Sequence, residues 1–209
     1  MSSCSAILLA AGESRRMGQT NKLSLPVQGQ PLLRRTAQTL LQAGLRELVV
    51  VVGHEQQLAR DLLDGLPLSI VFNQNYRDGQ MTSVHCGMQA LQQSSDAILV
   101  CLADLPLLEV ADLRELIDTF EQRCPTSVLV PTYCGERGNP IVLDYQHRQQ
   151  ILDGDRTLGC KRLIEKHPEL VTALEMGNDN LVFDLDTPEA YRRLQQRLGE
   201  SAGEQALTA

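Results

Sequence analysis

Basic charge and aromatic side chains are both scarce in this sequence of 209 residues. Lysine and arginine total 19 against 26 aspartates and glutamates, which gives a formal net charge of −7 and an isoelectric point of about 5.1. Tryptophan is absent, and there are four tyrosines and three phenylalanines. Nucleic acids and anionic lipids attract positive charge, and single strands stack on aromatic rings. We therefore expect no nucleic-acid and no membrane partner, and an anionic ligand requires a local basic cluster.

Long apolar runs and closely spaced cysteines are also missing. The first hydrophobic run, within MSSCSAILLAAG, is about six residues long and has neither the basic start nor the small-residue cleavage pattern of a secretory signal. No run approaches the roughly 20 residues that cross a bilayer. No CxxC pair occurs, which argues against a zinc ribbon or a thioredoxin-type site and favours reduced thiols in a cytoplasmic protein. The six cysteines are Cys4, Cys86, Cys101, Cys124, Cys134 and Cys160.

Two familiar nucleotide-binding fingerprints are absent too. The dinucleotide fingerprint GxGxxG does not occur, so an oxidoreductase that uses a nicotinamide cofactor is a weak hypothesis. A Walker loop has four residues between its glycines and then Lys-Ser/Thr, whereas five residues separate Gly12 from Gly18 here. The four histidines are not clustered, and no Ser-His-Asp arrangement for covalent catalysis is apparent.

Short apolar runs alternate with longer segments of helical period along the chain. This pattern is typical of helices that cover both faces of a mostly parallel sheet, so we predict an α/β fold. No repeat or linker divides the sequence, and we expect a single domain over residues 1–200 and a flexible tail over residues 201–209. Predicted strands span residues 5–10, 47–53, 68–73, 97–104, 127–131 and 181–186. Predicted helices span residues 31–44, 55–65, 81–93, 110–123, 157–167 and 188–200.

A basic loop follows the first predicted strand. Open α/β sheets bind ligands at the carboxyl ends of their strands, and the small residues 10–12 lie at this position. Residues 14–22 then contribute a serine, two arginines and a lysine. Backbone N–H groups, a guanidinium and a lysine together are typical of a phosphate-binding loop. The alternative is a surface turn that is basic and binds nothing.

This loop carries a resemblance to a known family. The segment LAAGESRRMGQTNKLSLPVQGQPLL, residues 9–33, closely resembles the signature of the MobA-like nucleotidyltransferases, and within them it is most similar to the molybdenum cofactor cytidylyltransferases. Further similar segments follow in the expected order: NYRDGQMTSVHCGMQAL, LADLPLL, GERGNPIVL and FDLDTPEAY. The resemblance implies a Rossmann-like, three-layer α/β/α nucleotide-diphospho-sugar transferase fold, a nucleoside triphosphate and Mg²⁺.

The resemblance also implies the nucleotide-binding residues. Lys22 matches an essential lysine expected on the triphosphate oxygens, Arg16 is expected to assist it, and Arg15 is interpreted as a solvated neighbour. Our candidate catalytic residues are Lys22, Arg16 and Asp104. For Met81, core packing is the stronger alternative. The predicted nucleotide-binding set is Leu9, Ala10, Ala11, Gly12, Glu13, Ser14, Arg16, Met17, Gly18, Lys22, Asn75, Gly79, Met81 and Ser83.

Three aspartates are the candidate metal ligands. Asp104 closes the apolar run AILVCLAD and is therefore expected at the ligand edge of the sheet. Mg²⁺ prefers one or two carboxylates together with phosphate oxygens and water, so Asp104 is a suitable ligand, and a helix-capping aspartate is the alternative. Asp184 and Asp186 alternate on the last predicted strand and should share one face. One of them is the second candidate ligand, and the other would cap the helix at Thr187-Pro188.

The acceptor side of the site matches the family less well. A second glycine-rich loop is expected to bind the acceptor's phosphate, although a hairpin without a ligand is the alternative. The family's GDMP is ADLP here, and its GDxGAR-like segment is represented by GDRTLGCKRLIEKH, residues 154–167. The candidate acceptor-binding residues are Gly135, Arg137, Gly138, Asn139 and Pro140.

Two substitutions in the signature bear on the nucleobase. Guanylyltransferases of this group usually have LAGG and an Asp before the lysine, whereas this sequence has LAAG and Asn21. The methyl of Ala11 is expected to favour a pyrimidine, so we predict CTP as donor and phosphorylated pterin, the molybdenum cofactor, as acceptor. A molybdenum hydroxylase or its maturation factor is the expected partner. The alternatives are a pyrophosphorylase for a sugar or alditol phosphate and a non-catalytic cofactor carrier or chaperone.

Overall fold

The computed structural model describes residues 3–18, 20–123, 127–153 and 167–199. Its strands are β1 (Cys4–Ala10), β2 (Pro26–Val27), β3 (Gln30–Pro31), β4 (Glu47–Val52), β5 (Ser69–Phe72), β6 (Ala97–Leu102), β7 (Val128–Tyr133), β8 (Glu136–Arg137), β9 (Ile141–Asp144) and β10 (Val171–Glu175). Its α-helices are α1 (Leu32–Gln42), α2 (Gln56–Leu63), α3 (Gln80–Ala90), α4 (Val110–Arg123), α5 (His147–Leu152) and α6 (Pro188–Leu198).

One large sheet carries the fold. Its strand order is β10-β7-β9-β6-β1-β4-β5, with β8 paired to β7, and β2 and β3 form a separate hairpin. The pairs β1–β4, β1–β6, β4–β5 and β7–β10 are parallel, whereas β9 is antiparallel to both β6 and β7. The predicted mostly parallel α/β sheet is therefore confirmed. The antiparallel β9 did not follow from the sequence pattern.

Helices cover both faces of this sheet, so β1 is buried on both sides. Its side chains alternate: Leu8 packs with α1, α2 and α4 on one face, and Ile7 packs with α3 and α5 on the other. A strand with two buried faces is apolar throughout, which is why SAILLA reads as an uninterrupted apolar run. The three expected layers follow from this alternation.

A third apolar cluster closes the end of the molecule next to the β2–β3 hairpin. Leu25, Val27, Tyr191 and Leu194 belong to it, so α6 packs on the hairpin. The Tyr191 hydroxyl donates a hydrogen bond to the Pro26 carbonyl oxygen at 2.9 Å. Met17 and Leu185, which lie within the basic loop and between the last two candidate aspartates, belong to the same cluster.

One predicted element differs from the structure, and others lie outside the described residues. Residues 181–186, predicted as a strand, form a turn followed by chain without regular secondary structure, and the strand of this region is β10. The predicted helix over residues 157–167 falls mainly on residues outside the described ranges. The tail over residues 201–209 lies outside them too.

The four cysteines of the described residues, Cys4, Cys86, Cys101 and Cys134, form no disulfide. Burial raises the pKa of the Cys4 thiol to about 12 and also raises that of Cys101, so both are poor nucleophiles. In the part of the chain that the structure describes, no helix combines the length and apolar character needed to span a membrane.

Candidate active site

A cavity of about 360 Å³ opens at the carboxyl ends of β1 and β6. Parallel strands end here side by side, and the two chain segments that follow them form its walls. Sequence-predicted residues of four separate segments meet in it. Its lining consists of Leu9, Ala10, Ala11, Gly12, Arg16, Lys22, Leu23, Tyr76, Gln80, Ser83, Leu102, Ala103, Asp104, Asp184 and Asp186.

Lys22 stands at the charged end of this cavity. Its Nζ donates to Asp104 Oδ2 at 2.5 Å and to Asp186 Oδ1 at 2.6 Å. The other oxygen of Asp186 accepts from Arg16 Nη2. The side chains of Lys22 and the two aspartates are only 13%, 15% and 20% exposed, respectively. The ammonium thus lies between two carboxylates that the sequence analysis assigned to a metal ion.

The local charges shift the acidities of these groups. Burial lowers the pKa of Lys22, but the charges and hydrogen bonds of Asp104 and Asp186 outweigh it, and the net shift is upward, so the ammonium stays charged. Burial and the neighbouring carboxylates raise the pKa of Asp184. Burial opposes ionisation of Asp186 as well, but Lys22 and Arg16 lower its pKa overall. The two carboxyls therefore differ in acidity, and Asp184 holds its proton more strongly than Asp186 does.

The basic loop is folded by its own polar side chains. Ser14 has a left-handed backbone with φ 50°, and its Oγ accepts a hydrogen bond from the Lys22 N–H at 3.3 Å. Asn21 Oδ1 accepts from the Leu23 N–H at 3.0 Å, and its Nδ2 donates to Glu55 Oε2 at 2.7 Å. These bonds hold the loop around a second cavity of about 280 Å³. That cavity is lined by Gly12, Glu13, Ser14, Arg15, Arg16, Lys22 and Asp186.

Two other loop residues point elsewhere. The Arg15 guanidinium is 79% exposed and pairs with Glu13, in keeping with its interpretation as a solvated neighbour. The Met17 side chain is 4% exposed and packs in the apolar cluster beside α6, so it contributes to the core and leaves only its backbone near the loop. Gly18, with φ +72°, supplies the left-handed turn after it.

Residues 73–83, which lead into α3 and form its first turn, are divided between two cavities. Ser83 lines the central cavity, and its Oγ accepts from Asn73 Nδ2 at 2.9 Å. Asn75 and Met81, which the sequence also assigned to the nucleotide, line a different cavity of about 460 Å³. Gly79 has φ +109° and allows the sharp turn into α3.

The segment with the two paired aspartates is held in place by backbone contacts. The Leu185 N–H donates to the Asp104 carbonyl oxygen at 2.9 Å, and the Leu185 side chain is fully buried. Because Leu185 faces the core, Asp184 and Asp186 both face the cavity, as the alternation predicted, although no strand forms. Neither aspartate caps α6: the cap is Thr187, whose hydroxyl accepts from the Ala190 N–H.

The second glycine-rich loop supports this segment from outside the cavity. None of residues 135–140 lines the cavity that holds Lys22. The Asn139 N–H donates to the Leu181 carbonyl oxygen at 2.8 Å, and the Gly138 N–H donates to that of Pro131 at 2.8 Å. Gly135 has φ +80° and makes the turn between β7 and β8. The structure thus gives this loop a packing role, and its predicted contact with the acceptor phosphate stays a prediction.

Replacing Gly138 by alanine should destabilise the fold by about 1–3 kcal/mol, because the new Cβ would lie 2.4 Å from the Leu181 carbonyl oxygen. Urea-induced unfolding measures the effect. Gly177→Ala is the matched control, since no heavy atom lies within 4 Å of its Cβ position, and its stability should stay within about 0.5 kcal/mol of the original chain. Equal unfolding midpoints for the two variants would contradict the tight contact.

Some cavity residues escaped the sequence analysis. Tyr76, Gln80, Leu23, Leu102 and Ala103 line the cavity but were not predicted. Tyr76 and Gln80 lie inside the recognised segment NYRDGQMTS, and an aromatic residue next to predicted ligand-binding residues was the available signal. The other three are apolar strand-end or loop residues that nothing in their identity distinguishes from core.

The aspartate carboxylates suit Mg²⁺ only together with the phosphate oxygens of a bound nucleotide. Among the described residues, no group of three or more His, Cys, Asp or Glu side chains is arranged to hold a metal ion. Asp104 Oδ1 is buried without a hydrogen-bond partner, so a hard oxygen atom remains available beside the cavity. One or two carboxylates completed by phosphate oxygens are the usual protein site for Mg²⁺. Asp104 with Asp184 or Asp186 fits that description.

Comparison with known proteins identifies the family and supports the fold. Residues 6–171 match the MobA-like NTP transferase domain. The crystal structure of Rv0371c from Mycobacterium tuberculosis H37Rv superposes with a TM-score of 0.79 at 25% identity, over 93% of this chain and 98% of that one.

Similar proteins carry names that refer to different functions. Nicotine blue oxidoreductase of Paenarthrobacter nicotinovorans is 29% identical over 198 residues, or 90% of this chain and 94% of that protein. Purine catabolism protein PucB of Bacillus subtilis is 32% identical over 88% of this chain and 92% of its own length. Bifunctional protein GlmU of Syntrophomonas wolfei is 30% identical over 129 residues, which cover 60% of this chain and 28% of that protein.

Proposed function

This chain belongs to the MobA-like NTP transferase family, and from that premise we propose that it transfers CMP from CTP to the phosphate of the molybdenum cofactor, giving molybdopterin cytosine dinucleotide and pyrophosphate. The observation that carries the proposal is the ammonium of Lys22 held by Asp104 and Asp186 in a cavity at the carboxyl ends of β1 and β6. The basic loop with Arg16 opens beside it.

The proposed reaction requires little from the protein except alignment and charge. An oxygen of the acceptor phosphate forms a bond to the α-phosphorus of CTP, the bond from that phosphorus to the bridging oxygen breaks, and pyrophosphate leaves. A phosphate monoester has its second pKa near about 6, so the nucleophile is already ionised at neutral pH and no general base is needed. Catalysis then depends on positioning and on electrostatic stabilisation.

The charged residues have distinct roles in this scheme. Lys22 turns from the carboxylates toward the triphosphate and offsets the charge that accumulates on the leaving pyrophosphate. Arg16, whose side chain is 69% exposed, is free to follow the phosphates as they enter. Asp104, with Asp184 or Asp186, would hold Mg²⁺, which supplies charge neutralisation and alignment of the phosphate oxygens when bound.

Support for CTP comes from the signature. Ala11 and Asn21 occupy the positions at which guanylyltransferases of the group usually have glycine and aspartate. In this structure Asn21 Nδ2 donates to Glu55, so an aspartate there would place two carboxylates against each other. The resemblance of residues 9–33 to the molybdenum cofactor cytidylyltransferases supports the pterin acceptor.

The direct test is pyrophosphate release from CTP, GTP, ATP and UTP with Mo-molybdopterin as acceptor. We expect the highest kcat/KM with CTP, and faster turnover of GTP would refute the assignment of the base. Release without pterin but with a sugar phosphate would instead support the alternative of a pyrophosphorylase for a sugar or alditol phosphate.

Two results would point away from a transferase. Tight binding of the pterin without pyrophosphate release from any nucleotide would indicate a carrier. Oxidation of NADH or NADPH by the purified protein, followed by absorbance, would favour an activity like that named for the Paenarthrobacter relative. Neither is expected, because a carrier has no use for the Lys22–Asp104 pair and the chain has no dinucleotide fingerprint.

A further inference from the structure

The central cavity is charged at one end only. Arg16, Lys22 and Asp186 line both this cavity and the smaller one in the basic loop, so the charged end lies where the two meet. Asp104 and Asp184 add two carboxylates to this charged part of the lining, and the remaining lining residues, which include Tyr76, Gln80 and Ser83, carry no charge. If the proposed function holds, the triphosphate occupies the charged end and the nucleobase lies at the uncharged end.

Tyr76 is packed tightly at the uncharged end. A Cβ on Gly53 would lie 2.7 Å from the Cβ and Cγ of Tyr76, so the tyrosine rests directly on the backbone of Gly53. The same point lies 2.8 Å from the Cβ of Ala11. Ala11, Gly53 and Tyr76 therefore form one compact contact between the ends of two neighbouring strands and the segment before α3.

The Tyr76 ring is confined by other residues too. The His54 ring lies at a centroid distance of 6.4 Å with an interplanar angle of 43°. The Arg77 guanidinium lies 5.4 Å from the Tyr76 ring centroid. Arg77 also pairs with Glu13 of the basic loop, with 3.5 Å between Nε and Oε1. The ring is thus held in one position between the two loops.

The methyl of Ala11 is directed into this contact. Ala11 is only 6% exposed, and its Cβ lies beside Gly53 and Tyr76. A methyl that is covered in this way has little surface left for a ligand. We therefore expect the Ala11 methyl to influence the choice of base largely through its neighbour on the cavity wall, Tyr76.

We propose that Tyr76 is a specificity-determining residue of the nucleotide site, whose ring forms the wall beside the nucleobase and whose position is set by Ala11 and Gly53. The proposal rests on the proposed function, since it assumes a nucleoside triphosphate in this cavity. With the alanine methyl in place, the ring limits the room for the base and favours a pyrimidine. Without the methyl, the ring is free to move toward the space that the methyl occupied and makes room for a purine.

The test is a thermodynamic cycle on nucleotide binding. Calorimetry with CTP and with GTP, in Mg²⁺ and without acceptor, gives the ratio of the two affinities for the original chain, Ala11→Gly, Tyr76→Ala and the double variant. We expect each single substitution to lower the CTP preference by about tenfold, a size typical of small steric changes in a binding pocket. In the Tyr76→Ala background, Ala11→Gly should have no further effect.

Two more variants serve as controls. Tyr76→Phe keeps the ring and should keep the CTP preference. Tyr145→Ala removes another tyrosine that lies under an arginine, with the Arg148 guanidinium 5.9 Å from its ring centroid, but it does not line this cavity and should leave the preference unchanged. If Tyr76→Ala does not fold, Tyr76→Leu takes its place, and circular dichroism checks each variant.

The outcomes separate the two proposals. Equal effects of Ala11→Gly with and without Tyr76 would overturn the role of the tyrosine, as would an unchanged ratio in Tyr76→Ala. In either case binding of CTP to the original chain would leave the proposed function standing. No binding of any nucleotide to the original chain would instead defeat the proposed function itself.

Discussion

Replacing Lys22 by methionine is expected to lower kcat for pyrophosphate release by about 10²–10³-fold, the usual loss when one preorganised donor at a developing charge is removed. Lys22 is the cation that both Asp104 and Asp186 hold at the charged end of the cavity. The methionine side chain is similar in length, so the cavity keeps its shape while the charge is lost.

The same substitution should increase the affinity for a metal ion, although it lowers turnover. In the original chain the ammonium lies between two candidate metal ligands, at 2.5 Å from Asp104 and 2.6 Å from Asp186. Without it, Asp104 loses its cationic partner and Asp186 keeps its pair with Arg16, so Mn²⁺ should bind more tightly in the absence of nucleotide. Electron paramagnetic resonance of free Mn²⁺ measures this gain.

A surface cation provides the control for Lys22. Arg192 pairs with Glu189 on the outer side of α6 and is 58% exposed, so Arg192→Met should change neither turnover nor Mn²⁺ binding. Full activity of Lys22→Met would exclude the lysine from the chemistry. Unchanged Mn²⁺ binding would show that the ammonium does not compete with the metal ion.

Replacing Asp104 by asparagine should lower kcat by about 10³-fold, which corresponds to the several kcal/mol that a metal ion contributes by neutralising charge in the transition state. The amide has the shape of the carboxylate but lacks its charge. Asp104 Oδ1 is buried without a hydrogen-bond partner, and this oxygen is the one left available for a metal ion. Lys22 retains its contact with Asp186, so the fold should persist.

Metal affinity distinguishes this variant from Lys22→Met. Asp104→Asn should weaken binding of Mn²⁺ together with CTP, measured by calorimetry, whereas the lysine variant should strengthen binding of Mn²⁺ alone. Asp61→Asn is the control, because Asp61 is exposed on α2 and accepts only a local hydrogen bond from Gln57. Undiminished turnover in Asp104→Asn would remove this aspartate from the metal site.

Much of the charged end followed from local patterns. Asp104 comes two residues after the end of a buried strand, and the carboxyl ends of neighbouring parallel strands form one edge. Residues 10–12 reach the same edge at the end of β1, so the meeting of the two segments was predictable. The prediction that Asp184 and Asp186 share one face is confirmed, but the strand on which it was based does not form. The alternation holds because Leu185 is buried between them, although the segment is not a strand.

The contacts within the site were not predictable in the same way. Lys22 meets carboxylates 82 and 164 residues away in sequence, and no local pattern indicates that it lies between them. Tyr76 rests on Gly53 because the backbone there lacks a side chain, a fact that becomes informative only once the two segments are neighbours. Met17 belongs to the nucleotide-loop signature, yet its side chain packs beside α6.

By itself the sequence determined the α/β architecture and the edge of the sheet at which the charged residues gather, because apolar periodicity decides which faces are buried and strand ends decide where loops emerge. The family followed from the signature of residues 9–33. Only the tertiary structure decided that Lys22 bridges two aspartates, that Gly138 and Asn139 support the segment of Leu181, and that Ala11 and Tyr76 both lie against Gly53. Such contacts depend on packing between segments that are distant in sequence, and packing is a property of the assembled fold.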